Sequence, residues 1–194
     1  MARGDCERAF AEAAAADGIA LSGQSLPWIT RRGHLALTDQ AAAHARDALQ
    51  AIFVALGGDA GELELSAAIR LTGDFLHEPT GTMIEVDEHQ HFTSARLQTL
   101  RLYPPDIPVG FERAQYEALC RRLQGKANRA FAHKSAPAFG PGGRQRQRAY
   151  FDSLRDLSAP GMGHPPVIRI DAPHGNGAAA YRQHRARLVE LLGP

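Results

Sequence analysis

The apolar positions along the chain follow a helical period at first, then a strand period, then a helical one again. Residues 5–16, DCERAFAEAAAA, are dense in helix formers and predict a short helix stopped at Gly18. The irregular stretch SGQSLPWITRRGH follows, and its Trp28, the single tryptophan, is expected to enter or cover the core. Ala45, Leu49, Ile52, Phe53 and Leu56 recur at helical intervals. They predict a second helix over 41–56, capped by Thr38 or Asp39 and ended by Gly57-Gly58. From 63 the period shortens to two: Leu63, Leu65, Ala67 and Ile69 alternate, which predicts a strand. Asp74-Phe75-Leu76 predicts a second strand, HEPTGT a turn and TMIEVD a third strand, giving a three-strand meander over 63–87.

Beyond the meander, helical patterns cover 92–103, 110–134, 143–157 and 178–192, punctuated by Pro104-Pro105 and PAFGPGG, with one more strand in PPVIRID. This order predicts an α/β protein with a mixed central sheet flanked by helices. The 194 residues fit one domain: a helical part over 1–60, an acidic strand segment over 62–92, and helices plus one core strand over 93–194. No apolar run approaches the roughly 18 residues of a membrane span. The opening MARGDCERAF places acids and arginines where a secretory leader has an apolar run. The expectation is a soluble, cytoplasmic protein with no membrane partner. Cys6 and Cys120 are isolated and are expected to be reduced thiols.

Charge changes the picture more than composition does. The net charge of +1 conceals a segregation. Residues 1–117 carry nine Lys and Arg against seventeen Asp and Glu, whereas 118–151 carry eight Lys and Arg and no acid. A block of this kind suits a partner with phosphates, and equally a solvated basic face.

The candidate chemistry lies in LTGDFLHEPTGTMIEVDEHQHF. Glu85 and Asp87 are two apart, so on a strand they share a face while Val86 points into the core. If the second and third strands pair as a hairpin, Asp74 approaches Glu85. Carboxylates gathered this way repel one another unless a cation or shared protons offset them, and hard divalent cations favour such oxygens. Solvated acids on an exposed strand are the plain alternative. A softer site of Asp87, His89 and His91 is a second one. Arg169 and Asp171, on the late strand, are expected to pair with the acidic centre or with each other.

The string D-F, then I-E-V-D-E-x-Q-H-F, resembles the catalytic core of the PD-(D/E)XK nuclease superfamily, most of all its small very-short-patch-repair-like endonuclease domains. The resemblance covers about residues 62–92 and implies a restriction-endonuclease-like sheet. Carried over, it makes Asp74 the acid of the "PD" strand and Glu85 the acid of "(D/E)XK". Gly73 stands for the proline, and Asp87 stands where a lysine is usual. His91 or Gln90 would then take the lysine's part, and Glu7 in the first helix would be the helical acid. The chain also resembles an uncharacterised bacterial family in DEHQHFT at 87–93, YP at 103–104, GF at 110–111, RQRQRAYFD at 144–152 and PVIRI at 166–170.

The resemblance implies a nuclease hydrolysing phosphodiesters with Mg2+ or Mn2+, held by Asp74, Glu85 and the Val86 carbonyl. Asp87 would bind the ion or orient its water. His91 would act as general base or acid, its ordinary pKa being about 6.5. Lys134, Arg144 and Arg148 would contact phosphates. The partner would be nucleic acid, DNA ahead of RNA, and a homodimer is compatible with the resemblance. Two other functions fit the same residues: a nuclease-fold binding module without catalysis, which the absent lysine favours, and a metal hydrolase for a small phosphorylated substrate.

Overall fold

The structure, a computed structural model, describes residues 4–193. Helix α1 (Asp5–Ala16) forms where helix formers concentrate. Helix α2 (Ala43–Ala55) is entered through a 3-10 turn whose Asp39 carboxylate accepts the Ala41 amide, so Asp39 and not Thr38 is the cap. Trp28 leans on the core, its ring 4.9 Å from that of His164. Both cysteines are buried and free.

The strand expected at 63–69 does not form. Ala60–Glu64 is a short helix, α3, and 65–69 run irregularly. Its N-cap Asp59 accepts the Glu62 amide at 3.0 Å, and that local bond fixes a helical turn that the alternation of ELEL did not reveal. Only Leu63 of the alternating set is buried; Leu65 is 85% and Ile69 49% exposed. The meander is real but starts elsewhere. Ser22–Gly23 forms β1 and pairs antiparallel with β2 (Phe75–His77), Ser22 opposite Leu76.

Strand β2 turns back into β3 (Thr82–Asp87), Phe75 opposite Ile84. Strand β4 (Ile168–Asp171) lies parallel to β3, Glu85 opposite Arg169. The sheet is mixed, in the order β1-β2-β3-β4. Its parity separates two environments. Ile84 and Val86 join Ile168 and Ile170 on the face covered by α1 and by α7 (Gly177–Leu192), where Phe10, Tyr181 and Leu188 complete an apolar cluster. Met83, Glu85 and Asp87 occupy the opposite face with Arg169.

Over that second face lies α6 (Arg144–Gly161), packed on α2 and on α4 (Ser94–Leu100), whose N-cap Thr93 accepts the Arg96 amide. Next to α4 runs α5 (Arg113–Ala127). Helix α6 buries Gln147, Asp152, Ser153, Arg155, Asp156 and Ser158 as well as its apolar side. Polar groups are held inside only where they find partners, and on this face they find each other. Among the described residues, no helix is long and apolar enough to cross a membrane.

Candidate functional site

The site is built where one strand gives out beside another. Strand β2 starts at Phe75, while β3 continues to Asp87, so the next position in register with Glu85 is Asp74. The Asp74 carboxylate does the work of the missing strand: its Oδ2 accepts the Val86 amide at 2.8 Å. The amide and carbonyl of one residue leave an antiparallel strand on the same side, so the Val86 carbonyl faces the β2 side as well. The Asp74 amide in turn donates to Glu85 Oε1 at 3.4 Å. A Cβ at Gly73 would meet Gln24 Oε1 at 2.2 Å and Glu85 Oε1 at 2.3 Å, so the proline of the resembled pattern would have to displace both side-chain ends.

These carboxyls floor a cleft of about 640 Å³. Arg31, Arg70, Lys134, Arg144 and Arg148 line it together with His91 and the buried Asp152 and Arg155. Arg155 Nε lies 3.2 Å from Glu85 Oε1, an ion pair without a hydrogen bond's alignment. Burial, and then the charge of Glu85, push the Asp74 carboxyl up to about 8. Burial also raises Glu85, against the pull of Arg155 and Arg169. The pair therefore holds a proton or a cation more readily than two bare charges.

His91 Nδ1 sits 3.0 Å from Asp152 Oδ2 and 3.1 Å from Asp87 Oδ1. Burial pulls its pKa down, but the two carboxylates outweigh burial and raise it. Asp152 moves the other way: burial opposes its charge, yet His91 and Arg169 hold it below the usual carboxylate range. With Nδ1 committed to these acids, Nε2 is the nitrogen available for proton transfer.

Asp87 is placed differently from its expected role. It is fully buried, chelated by Arg169 Nη1 at 3.0 and 2.9 Å and given a hydrogen bond by the Tyr116 hydroxyl at 2.7 Å. Arg169 continues to Asp156, which also receives Arg96 and Tyr103. Asp87 does not line the cleft; it steadies His91 from behind. The expected pairing of Arg169 with the acidic centre is found, whereas Asp171 pairs with His184. The softer site of Asp87, His89 and His91 rested on strand parity, but the strand ends at Asp87 and His89–His91 is a 3-10 turn.

The cleft gathers Asp74, Glu85, His91, Lys134, Arg144 and Arg148. Gln90 is outside it, donating to Glu88 at 3.0 Å, with its carbonyl taken by Arg148. Glu7 is on α1, the helix packed on the other face, and does not line the cleft. Asp152 and Arg155 were missed by the sequence reading. Their signal was the run Arg148, Asp152, Arg155, Asp156, four, three and one residues apart, one polar stripe on a helix that would be buried.

Residues 51–138 match a family of unknown function, DUF7255. That span includes Asp74, Glu85, Asp87, His91 and Lys134 and stops short of α6. No curated protein and no solved structure matches the chain.

For a metal ion, the candidate donors are the Asp74 and Glu85 carboxyls, which line the cleft, and the Val86 carbonyl, on the β2 side of β3. Among the described residues, no group of three or more His, Cys, Asp or Glu is arranged to hold one. Two carboxylates and a carbonyl do fit Mg2+, which keeps several waters and needs only one or two carboxylates from the protein beside a substrate phosphate.

Proposed function

We propose that the chain is a metal-dependent nuclease of restriction-endonuclease-like fold, hydrolysing nucleic-acid phosphodiester bonds in this cleft. One observation carries the reading: paired carboxyls, a carboxylate-bound histidine and several further cations line a single cleft. A solvated acidic strand would leave Asp74 and Glu85 apart from the basic block.

Asp74 and Glu85 would hold Mg2+ or Mn2+ with the Val86 carbonyl. A bound dication supplies a nucleophilic water near neutral pH and offsets charge on the phosphate. Arg31, Arg70, Lys134, Arg144 and Arg148 bind the backbone of the substrate. Arg155 holds Glu85 and adds positive charge in the region where the resembled pattern keeps its lysine. His91, oriented through Nδ1 by Asp152 and Asp87, moves a proton at Nε2, to the leaving oxygen or from the water.

The test is incubation with supercoiled plasmid, single-stranded DNA and RNA, with Mg2+, Mn2+ or EDTA, beside Asp74→Ala and Glu85→Ala. Metal-dependent cleavage lost in both variants is expected. Cleavage that survives either substitution sinks the assignment. Salt-dependent binding without any cleavage would instead identify a binding module, which Asp87 standing where a lysine is usual favours.

A further inference from the structure

One exposed aromatic stands at the edge of the cleft. Phe131 is 40% exposed in the turn-rich segment between α5 and α6. The Lys134 ammonium lies 4.7 Å from its ring centroid and the Arg148 guanidinium 5.3 Å, and both cations line the cleft. Its φ is 61°, a left-handed value that a bulky side chain rarely adopts. The segment is nevertheless fixed. Gln145 of α6 donates to the carbonyls of Ala127, Asn128 and Ala130, and the Lys134 amide closes onto the Phe131 carbonyl at 2.9 Å. An apolar ring is thus displayed in a costly conformation between two cations, where core packing gains little from it.

We propose that the substrate is a single strand of nucleic acid and that Phe131 is the platform on which one of its bases stacks, a proposal that rests on reading the cleft as a phosphodiester site. A duplex turns its base faces inward and offers an aromatic ring nothing to stack on. An unpaired strand offers a base face at every nucleotide, with a phosphate between neighbours. Lys134 and Arg148, which line the cleft beside the ring, supply the matching charge for a phosphate next to the stacked base. A cleft of about 640 Å³ lined by several cations suits one backbone better than the breadth of a double helix.

Fluorescence anisotropy with a labelled oligothymidylate in EDTA reads binding without hydrolysis, beside a blunt duplex of equal length and a single-stranded RNA. The single strand is expected to bind at least about tenfold tighter than the duplex, and Phe131→Ala to lose about tenfold on the single strand. Phe131→Trp should retain binding, and a thermal melt checks that both variants fold. Lys134→Ala and Arg148→Ala should each lower the slope of log affinity against log salt by about 0.7. The ratio of DNA to RNA binding then names the sugar. Equal affinity for duplex and single strand, or no change in Phe131→Ala, overturns the platform. Asp74-dependent cleavage of duplex plasmid alongside an indifferent Phe131→Ala would keep the cleft and discard the platform. Phe131-dependent binding with no cleavage under any metal would do the reverse.

Discussion

Glu85 and Asp87 are two residues apart on one strand and on one face, yet they live in opposite electrostatic worlds. Around Asp87 each charge has fixed partners: Arg169 bridges Asp87 and Asp156, and Arg96, Tyr103 and Tyr116 take remaining oxygens. Around Glu85 the count does not close. Glu85 pairs with the guanidinium of Arg155, Asp74 accepts the Val86 amide, and both carboxyls line the cleft. The lattice around Asp87 is scaffold, because the oxygens of its carboxylate are already taken. An unsaturated pair of carboxyls facing a basic cleft is where a cation or a proton has something to gain.

The largest effect should come from the saturated side. Arg169→Met removes the bridge and leaves Asp87 and Asp156 short of a partner inside the protein. A loss of about 3–5 kcal/mol is expected in urea denaturation, enough to threaten folding. If Arg169→Met were equally stable, the contrast between the two regions would be false.

The unsaturated side should respond with the opposite sign. Asp74 titrates near 8 in the folded protein against an ordinary 3.8, so the folded state binds its proton more tightly than the unfolded state. Its contribution is fully present below about pH 4 and is lost as pH rises through about 8. Asp74→Asn should abolish that fall, leaving the variant more stable than the parent at pH 8. Under the proposed function, Mg2+ at pH 8 should raise the melting temperature of the parent and not of Asp74→Asn. Calorimetry across pH reads both; a parent curve flat from pH 4 to 8 would remove the basis of the pair.

A smaller shift probes the link between the regions. Asp152→Asn should lower the pKa of His91, because Asp152 is the larger of the two charges raising it, with Asp87 remaining and Arg148 opposing. NMR of the ring protons reads this directly, and an unmoved titration would mean that Asp152 does not govern His91. The smallest effect belongs to Gln90, engaged with Glu88 outside the cleft. Gln90→Ala should change cleavage by no more than about twofold; a large loss would bring Gln90 back as the substitute for lysine.

The sequence was readable wherever local pattern governed. Helical spacing located α2, α6 and α7, and the apolar TMIEVD and VIRI located β3 and β4. The parity of Glu85, Val86 and Asp87 was legible too, since a strand leaves no choice of faces. Three things were not. The Asp59 cap turned ELEL into a helix, because a side-chain bond outweighed a weak alternation. Strand β1 has two residues, too few to carry any period, and is held by its partner alone. The partner of Arg169 was legible only as the acidic centre; that it would take Asp87 and withdraw it from the cleft depended on a register 82 residues distant.

That separation sets a schedule. Asp87 and Arg169 are 82 residues apart, and β4 reaches β3 only after α6 has been made. Chains are synthesised from the N-terminus, and long-range pairings must wait for both partners. Until Arg169 arrives, Asp152 has only His91 and Asp156 only Arg96 as a countercharge, so α6, with the Arg148 and Arg155 it carries, settles less firmly. A half-made chain on the ribosome, surrounded by RNA, would hold the acids of the cleft without their alignment.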